Sequence, residues 1–215
     1  FALPFAMASV VLAWPRHPVT LRGLTWILVA MVGARSAAMG FNRLADRRFD
    51  ALNPRTKGWE LPAGTVKVSE AVLLTATMSL LFVFAAYELS WLCFLLSPLA
   101  LAIVFFYSLT KRFTWASHLF LGLALAIAPV GAWLAVAGAA VSVSELATPL
   151  LLGFAVIFWL AGFDIIYSLQ DREFDRQHGL NSIPVRFGVA VALRLSSFFH
   201  VVTIVFLSLV GVTAA

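Results

Sequence analysis

The residues best suited to chemistry in this sequence are its aspartates, all of which fall into two short segments. The first segment carries two of them and the second, far downstream, carries three. They are Asp46, Asp50, Asp164, Asp171 and Asp175. Carboxylate oxygens without paired histidines or cysteines are the ligands that hard cations such as Mg²⁺ prefer. The two segments are therefore candidates for a divalent metal site.

The spacing within each segment predicts that its polar side chains share one face of a helix. Asn42 precedes Asp46 and Asp50 by four and eight residues, a spacing that drifts by about 40° per step around a helix. In the second segment Tyr167 follows Asp164 by three residues, and the other aspartates follow Asp164 by seven and eleven. Each segment is thus predicted to present a ladder of oxygen ligands.

Two ladders that face one cavity would suit a diphosphate group held by Mg²⁺. This ion is usually bound by one or two carboxylates together with water and substrate phosphates. It would stabilise a departing diphosphate as a Lewis acid and a template. Basic side chains near the same helix ends would add charge-assisted hydrogen bonds to the phosphate oxygens. The candidates are Arg43, Lys57, Lys111, Arg112 and Arg186.

The elements that must position these residues are membrane helices. The chain has 215 residues, of which 62% are hydrophobic and 12% charged, and its mean hydropathy is +0.97. Soluble domains have about 25% charged residues, so a soluble fold of this size could not hide so much apolar surface. The single cysteine, Cys93, lies in an apolar run, which excludes an intrachain disulfide and a cysteine metal cluster.

Apolar stretches predict an all-α transmembrane bundle of about seven spans. The predicted spans are approximately 1–14, 24–42, 70–87, 90–109, 117–138, 147–167 and 189–212. Because the chain is already apolar at its first residues, we expect it to begin inside a helix. It shows neither the charged leader nor the small-residue cleavage site of a signal peptide.

The distribution of basic residues predicts which end of the bundle faces the cytoplasm. Nearly all of the 15 Lys and Arg side chains lie in the loops after the second, fourth and sixth spans. Arg16 and Arg22 lie at the other end, and Arg35 lies inside the second span. The positive-inside rule therefore assigns the aspartate-bearing end to the cytoplasm. Because topology accounts for the net charge of +5, the bilayer is the expected partner and nucleic acid is not.

The two segments also resemble each other beyond their aspartates. Each continues from a span through Asn and Pro to a basic residue, as Asn53-Pro54-Arg55 and as Asn181-Ser-Ile-Pro184-Val-Arg186. This echo suggests a weak internal repeat that builds one site between two halves of a bundle.

The paired segments resemble the signatures of UbiA-type intramembrane aromatic prenyltransferases. The family's second motif, D-x-x-Y-x-x-x-D-x-x-x-D, is matched at every specified position from Asp164 to Asp175. The first, N-D-x-x-D-x-x-x-D, is matched except at Arg43, where many members have Asp. Other stretches are similar to the 4-hydroxybenzoate polyprenyltransferase-like branch. They are Arg35 to Arg43, Asn53-Pro-Arg-Thr, Glu60-Leu-Pro-Ala-Gly64, Tyr107-Ser-x-x-Lys111-Arg112 and His118-Leu-x-Leu-Gly122.

The resemblance implies a fold and a reaction. It implies one transmembrane prenyltransferase domain over 1–215, incomplete at both ends because family members have nine helices. The implied reaction is Mg²⁺-dependent transfer of a polyprenyl group from an allylic polyprenyl diphosphate to an aromatic acid, such as 4-hydroxybenzoate, in quinone biosynthesis. The implied prenyl cavity is open sideways to lipid.

The resemblance also implies roles for single residues. Metal and diphosphate binding fall to Asn42, Asp46, Asp50, Asp171 and Asp175. Lys111 and Arg112 match residues that bind diphosphate, while Asp164 and Tyr167 match positions that orient the diphosphate or the cation. Trp59 stands where related sequences often have Arg, and we expect Lys57 to supply that charge.

Two further residues have alternative interpretations. Arg35 lies on the same helix face as Asn42, so it could bind the acceptor carboxylate, a phosphate oxygen, or a structural partner. His118 could be a general base for the ring proton or a residue at a helix-end interface.

The alternatives to this function are a different acceptor, a transporter or a structural role. A haem, chlorophyllide, naphthoate or glycerol phosphate acceptor would keep the family and change the product. Repeated intramembrane acidic helices can also build the cation path of an ion-coupled transporter. A structural membrane protein would leave the clustering of all five aspartates unexplained.

Overall fold

The computed structural model describes residues 2–138 and 141–214 and is built of helices joined by short loops. In chain order the helices are α1 (Ala2–Ala13), α2 (Leu21–Leu52), α3 (Val68–Leu89), α4 (Trp91–Thr110), α5 (Ser117–Ala137), α6 (Ala147–Ser168), α7 (Arg172–Gln177), α8 (Ile183–Phe187) and α9 (Val189–Ala214). Six helical segments are long and apolar enough to cross a membrane. The all-α transmembrane class is thus confirmed, and the first predicted span is the short apolar helix α1.

The two aspartate ladders are built differently. The helix α2 continues about three turns beyond its predicted apolar end, to Leu52, so the first ladder lies on one unbroken helix. The second was expected on one helix face as well, but α6 ends at Ser168 and a 3₁₀ turn, Leu169–Asp171, leads into α7. Because a 3₁₀ turn winds more tightly than an α-helix, it redirects Asp171 toward the loop after α2.

The helices α5 and α6 form the centre of the bundle. In their most apolar windows 39% and 44% of the residues are buried, against 11–17% in the other candidate spans. Their close approach depends on Gly122 of α5, where an added Cβ would lie 2.5 Å from the carbonyl oxygen of Ile157 on α6. A glycine here lets the two backbones pack directly against each other, as small residues do at membrane helix interfaces.

We predict that Gly122→Ala destabilises the bundle although alanine favours helix. The new methyl group must push α5 and α6 apart, and overpacking of this kind costs about 1–3 kcal/mol. The measurement is the thermal unfolding of the purified protein in detergent.

Gly131→Ala is the matched control, because a Cβ at this position of α5 meets nothing within 4 Å. It should leave stability unchanged or raise it by up to about 1 kcal/mol through helix propensity. Equal stability of the two variants would contradict the assigned contact between α5 and α6.

Candidate functional site

The last turns of α2 hold the first ladder close to the loop after α4. Asn42 Nδ2 donates to Asp46 Oδ2 at 3.2 Å, a contact between residues four apart on one helix face. Arg112 Nη2 approaches Asp46 Oδ1 to 3.4 Å and donates to the carbonyl oxygen of Ala45 at 2.6 Å. The helical spacing thus predicts the local contact, while Arg112 comes from a distant part of the chain.

Asp50, one turn further along α2, faces a stacked pair of side chains. Arg43 Nη1 lies 4.0 Å from Asp50 Oδ2, and the Arg43 guanidinium carbon is 3.3 Å from the ring centroid of Trp59. Arg55 approaches the same ring at 5.6 Å. Trp59, expected only as a missing positive charge, therefore holds guanidinium groups in place by cation–π contact.

Asp171 is bound by the loop that follows α2. Arg55 donates two hydrogen bonds to the Asp171 carboxylate, from Nε to Oδ1 at 3.0 Å and from Nη2 to Oδ2 at 2.5 Å. Asn53 Nδ2 also donates to Oδ1 at 3.0 Å, and Arg55 Nη1 donates to the Tyr167 hydroxyl at 3.3 Å. The hydrogen bond to Asp171 raises the pKa of Arg55 further, so this guanidinium is always charged.

Asn53 and Arg55 are site residues that our sequence analysis did not select. Both appear there only in the repeated Asn-Pro-basic pattern and in the stretch that is similar to the family branch. The available signal was the shared Asn-Pro-basic pattern, in which Asn53 and Arg55 occupy the same places as Asn181 and Arg186. The pattern marks the loop, but spacing alone does not indicate which of its basic residues reaches an aspartate.

Asp175 is the most deeply buried carboxylate of the site. It is 2% exposed, and Lys111 Nζ lies 3.2 Å from its Oδ2. Burial lowers the pKa of the Lys111 ammonium, but the charges of Asp175 and Asp164 outweigh that effect and the pKa is raised. Lys111 therefore stays protonated throughout the neutral range. Its carbonyl oxygen accepts from Asn181, at 2.7 Å from the backbone N–H and 3.3 Å from Nδ2.

Asp164 is paired with a histidine that is fully buried. His118 Nδ1 lies 2.7 Å from Asp164 Oδ2, and the His118 side chain is 0% exposed. His118 stands at the beginning of α5, as the helix-end interpretation expects. The contact with Asp164 was missed because 46 residues separate the pair in sequence.

Three predicted cations lie apart from these pairs. In residues 2–138 and 141–214, Lys57 and Arg186 form no ion pair with an aspartate, and both are exposed. Arg35 also has no acidic partner there and instead lines a cavity. The structure thus brings Arg43, Lys111 and Arg112 of the predicted set to the carboxylates, and it adds Arg55 and His118.

The cavity next to the site is apolar. It has a volume of about 430 Å³ and lies between α2, α3, α4, α5 and α6. Its polar residues include Arg35 and Tyr107, which precede Asn42 and Lys111 by seven and four residues on their helices. These spacings correspond to about one or two helical turns. The apolar cavity and the cluster of charges are therefore neighbours along α2 and α4.

The donor set fits a metal that is shared with a phosphate ligand. No three His, Cys, Asp or Glu side chains of the described residues converge into a metal cage. Mg²⁺ bound to a diphosphate needs only one or two carboxylates from the protein, and Asn42 with Asp46 is an oxygen pair of this kind. The arrangement suits a magnesium–diphosphate unit better than a structural metal.

Comparison with known proteins places this geometry in context. The family described as "UbiA prenyltransferase family" matches residues 2–215. A 4-hydroxybenzoate octaprenyltransferase of Neisseria meningitidis serogroup B is 38% identical over 154 residues, which are 72% of this chain and 50% of the relative. One from Alcanivorax borkumensis is 35% identical over 191 residues, 87% of this chain and 64% of the relative. The chain therefore spans about half to two thirds of the relatives' length.

Solved structures share the fold. The apo structure of a UbiA homolog from Aeropyrum pernix K1 has a TM-score of 0.90 at 39% identity, covering 95% of this chain and 75% of that one. A UbiA homolog from Archaeoglobus fulgidus, bound to DMAPP and Mg²⁺, has a TM-score of 0.76 at 25% identity, covering 98% and 73%.

We predict that Lys111→Met destabilises the protein by about 1.5–3 kcal/mol, because it leaves the buried Asp175 without its charged partner. Adding Asp175→Leu should restore most of the loss, since both charges are then removed together. Chemical or thermal unfolding in detergent measures both effects.

Arg176→Met serves as the control for charge removal. Arg176 is 63% exposed and pairs with Glu173 on the surface of α7, so its loss should cost less than about 1 kcal/mol. A Lys111→Met protein as stable as this control would show that the Asp175 pair is not formed.

Proposed function

Because this chain belongs to the UbiA prenyltransferase family, we propose that it transfers a polyprenyl group from an allylic diphosphate to an aromatic acid. The diphosphate binds between the two aspartate ladders, and the prenyl chain lies in the apolar cavity. The observation that carries this proposal is the junction of the two environments. A polyanion and a long hydrocarbon on one molecule need a charged cluster and an apolar chamber side by side.

The charged cluster holds the diphosphate through cations that are already in position. Arg43, Arg55, Lys111 and Arg112 each lie against a different aspartate. Charge-assisted bonds to phosphate oxygens are as favourable as those to carboxylates, and arginine can bind either one with two donors. Each cation can therefore exchange an aspartate oxygen for a phosphate oxygen without leaving its place.

The aspartates would hold the metal of such a complex. Asn42, Asp46, Asp50, Asp171 and Asp175 are the oxygen donors that this role requires, and the solved Archaeoglobus fulgidus homolog contains Mg²⁺ with its ligand. Bound Mg²⁺ would supply Lewis-acid stabilisation of the charge that develops on the leaving diphosphate.

Asp164 and Tyr167 are the residues proposed to act on the developing allylic cation. The bond between the allylic carbon and the diphosphate oxygen breaks, and a new carbon–carbon bond forms to the aromatic ring beside its hydroxyl group. The ring carbon then loses its proton, which the released diphosphate can accept. Negative charge on Asp164 and the oxygen and ring face of Tyr167 favour the developing allylic cation electrostatically.

Arg35 is the proposed anchor of the acceptor. It is an unpaired cation, among the described residues, on the wall of a mostly apolar cavity, and intramembrane charges usually mark substrate paths. An aromatic carboxylate would satisfy it while the ring stays in apolar surroundings. The relatives named 4-hydroxybenzoate octaprenyltransferase support 4-hydroxybenzoate as that acid. The basic loops favour a cytoplasmic entrance for it.

The decisive experiment combines the full-length protein in liposomes with labelled polyprenyl diphosphate, Mg²⁺ and either 4-hydroxybenzoate or a dihydroxynaphthoate. A prenylated acid that disappears with EDTA is expected, and the acid that reacts identifies the acceptor. Mg²⁺-dependent diphosphate binding without product would show that the acceptor is a different molecule from these two acids. Absence of diphosphate binding would overturn it and favour ion transport.

We predict that Asp46→Ala and Asp171→Ala abolish transfer, with losses of at least about a hundredfold, since each removes a proposed metal donor and unpairs a diphosphate-binding arginine. Product formation by radioassay is the measurement. Glu173→Ala is the control, because Glu173 lies in the same acidic segment but pairs with Arg176 and Gln177 on the surface of α7. Normal turnover by either aspartate variant would refute the metal assignment.

We predict that Arg35→Ala raises KM for the aromatic acid about tenfold or more and changes KM for the prenyl diphosphate little, because a charge-assisted bond is worth about 1.5–3 kcal/mol. Steady-state kinetics with each substrate varied in turn measure both constants. Arg22→Ala is the control, since Arg22 pairs with Glu88 away from the aspartate ladders. The reverse pattern would assign Arg35 to the diphosphate.

A further inference from the structure

Both ring nitrogens of His118 have partners, although the side chain is completely buried. Nδ1 lies 2.7 Å from Asp164 Oδ2. On the opposite side of the ring, Nε2 lies 3.3 Å from the backbone N–H of Ile183. These two contacts join the beginning of α5 to α6 and to the first residue of α8.

The contacts determine which nitrogen carries the proton. A backbone N–H can only donate, so Nε2 of His118 must accept and cannot itself be protonated. The ring proton of a neutral imidazole then lies on Nδ1, where it is donated to the carboxylate of Asp164. With both nitrogens used in this way, His118 has no free lone pair with which to remove a proton from a substrate.

The carboxylate that His118 binds, Asp164, is close to residues of both the charged cluster and the apolar cavity. Asp164 is in electrostatic range of Lys111, which pairs with Asp175, and of Tyr107, which lines the apolar cavity. The bond from His118 uses Oδ2, and no hydrogen bond to Oδ1 is formed within residues 2–138 and 141–214. One oxygen is thus fixed and the other is left to act on a substrate.

The segment that His118 holds is attached to the site at a second point. Ser182, which caps α8 and is 0% exposed, directly precedes Ile183, and Asn181 donates to the carbonyl oxygen of Lys111. Lys111, directly after α4, and His118, in the first turn of α5, therefore both contact the end of the α7–α8 connection.

We propose that His118 is a positioning residue, neutral and protonated on Nδ1, that fixes the rotamer of Asp164 between the diphosphate site and the prenyl cavity. This inference rests on the proposed transfer reaction for its kinetic consequence. Its geometric content, the protonation of Nδ1 and its bond to Asp164, can be tested without turnover.

Two substitutions separate the two contacts. His118→Asn keeps an amide N–H close to the position of Nδ1 and so can still donate to Asp164. His118→Gln extends instead toward Ile183 and loses the bond to Asp164. We expect kcat to fall about 10- to 100-fold in the Gln variant, the factor for a hydrogen bond to a charged group. The Asn variant should lose at most a few-fold, and KM for the prenyl diphosphate should stay within about threefold in both.

A double-mutant cycle shows whether His118 acts through Asp164. In an Asp164→Asn background, His118→Gln should cause little further loss of kcat, because coupled residues are not additive. Ser117→Ala is the control for disturbing this buried turn, since the Ser117 hydroxyl has no hydrogen-bond partner in the described residues. Additive losses, or an Asn variant as slow as the Gln variant at equal melting temperature, would overturn the proposal.

The tautomer is measured directly by ¹⁵N NMR of histidine-labelled protein in nanodiscs. The signal that is absent in His118→Gln belongs to His118, and it should report a protonated Nδ1 and an unprotonated Nε2. A proton on Nε2, or on both nitrogens, would contradict the proposed pair. If the wild type bound diphosphate but transferred nothing, the proposed function would fail while this spectrum still tested the His118–Asp164 contact.

Discussion

The structure of the site depends on the desolvation free energy of five aspartates at the edge of an apolar bundle. An isolated carboxylate out of water is strongly disfavoured unless it is paired and hydrogen-bonded. All five aspartates lie within 4.0 Å of a basic side chain, and four of them also accept a hydrogen bond from it. The pairing also connects separate segments at this end, because four of the partners follow α2 or α4 or begin α5.

Hydrogen bonds from two polar loops connect the segment after α2 with the segments around α4 and α7. Asn53, from the loop after α2, donates to Asp171, and Asn181, from the connection between α7 and α8, donates to the carbonyl oxygen of Lys111. The two asparagines of the repeated sequence pattern thus both reach across to another segment. The pattern identifies connections that must leave their own helix and satisfy polar groups elsewhere, since buried amides and carboxylates need partners.

Local periodicity made the helices and the first ladder predictable. The Asn42–Asp46 contact follows from a four-residue spacing on an unbroken helix, and the apolar runs located every long helix. The basic partners of the aspartates could not be predicted in the same way. Lys57 and Arg55 lie two residues apart in one loop and have the same charge, so sequence spacing does not distinguish the one that reaches Asp171. The 3₁₀ turn after Ser168 and the His118–Asp164 pair depend on contacts between segments that are distant in sequence, which no local pattern encodes.

The stacking of Arg43 on Trp59 gives one cation of the site a different kind of support. Arg55, Lys111 and Arg112 are held mainly by carboxylates. That attraction weakens when the Debye length falls, from about 10 Å at 0.1 M salt to about 3 Å at 1 M. A ring quadrupole in direct contact with the guanidinium carries no net charge for counterions to neutralise, and it adds to the attraction of Asp50, 4.0 Å away. Concentrated electrolyte would loosen the surrounding ion pairs sooner than this stack, so Trp59 preserves one oriented positive charge across a wide range of ionic strength.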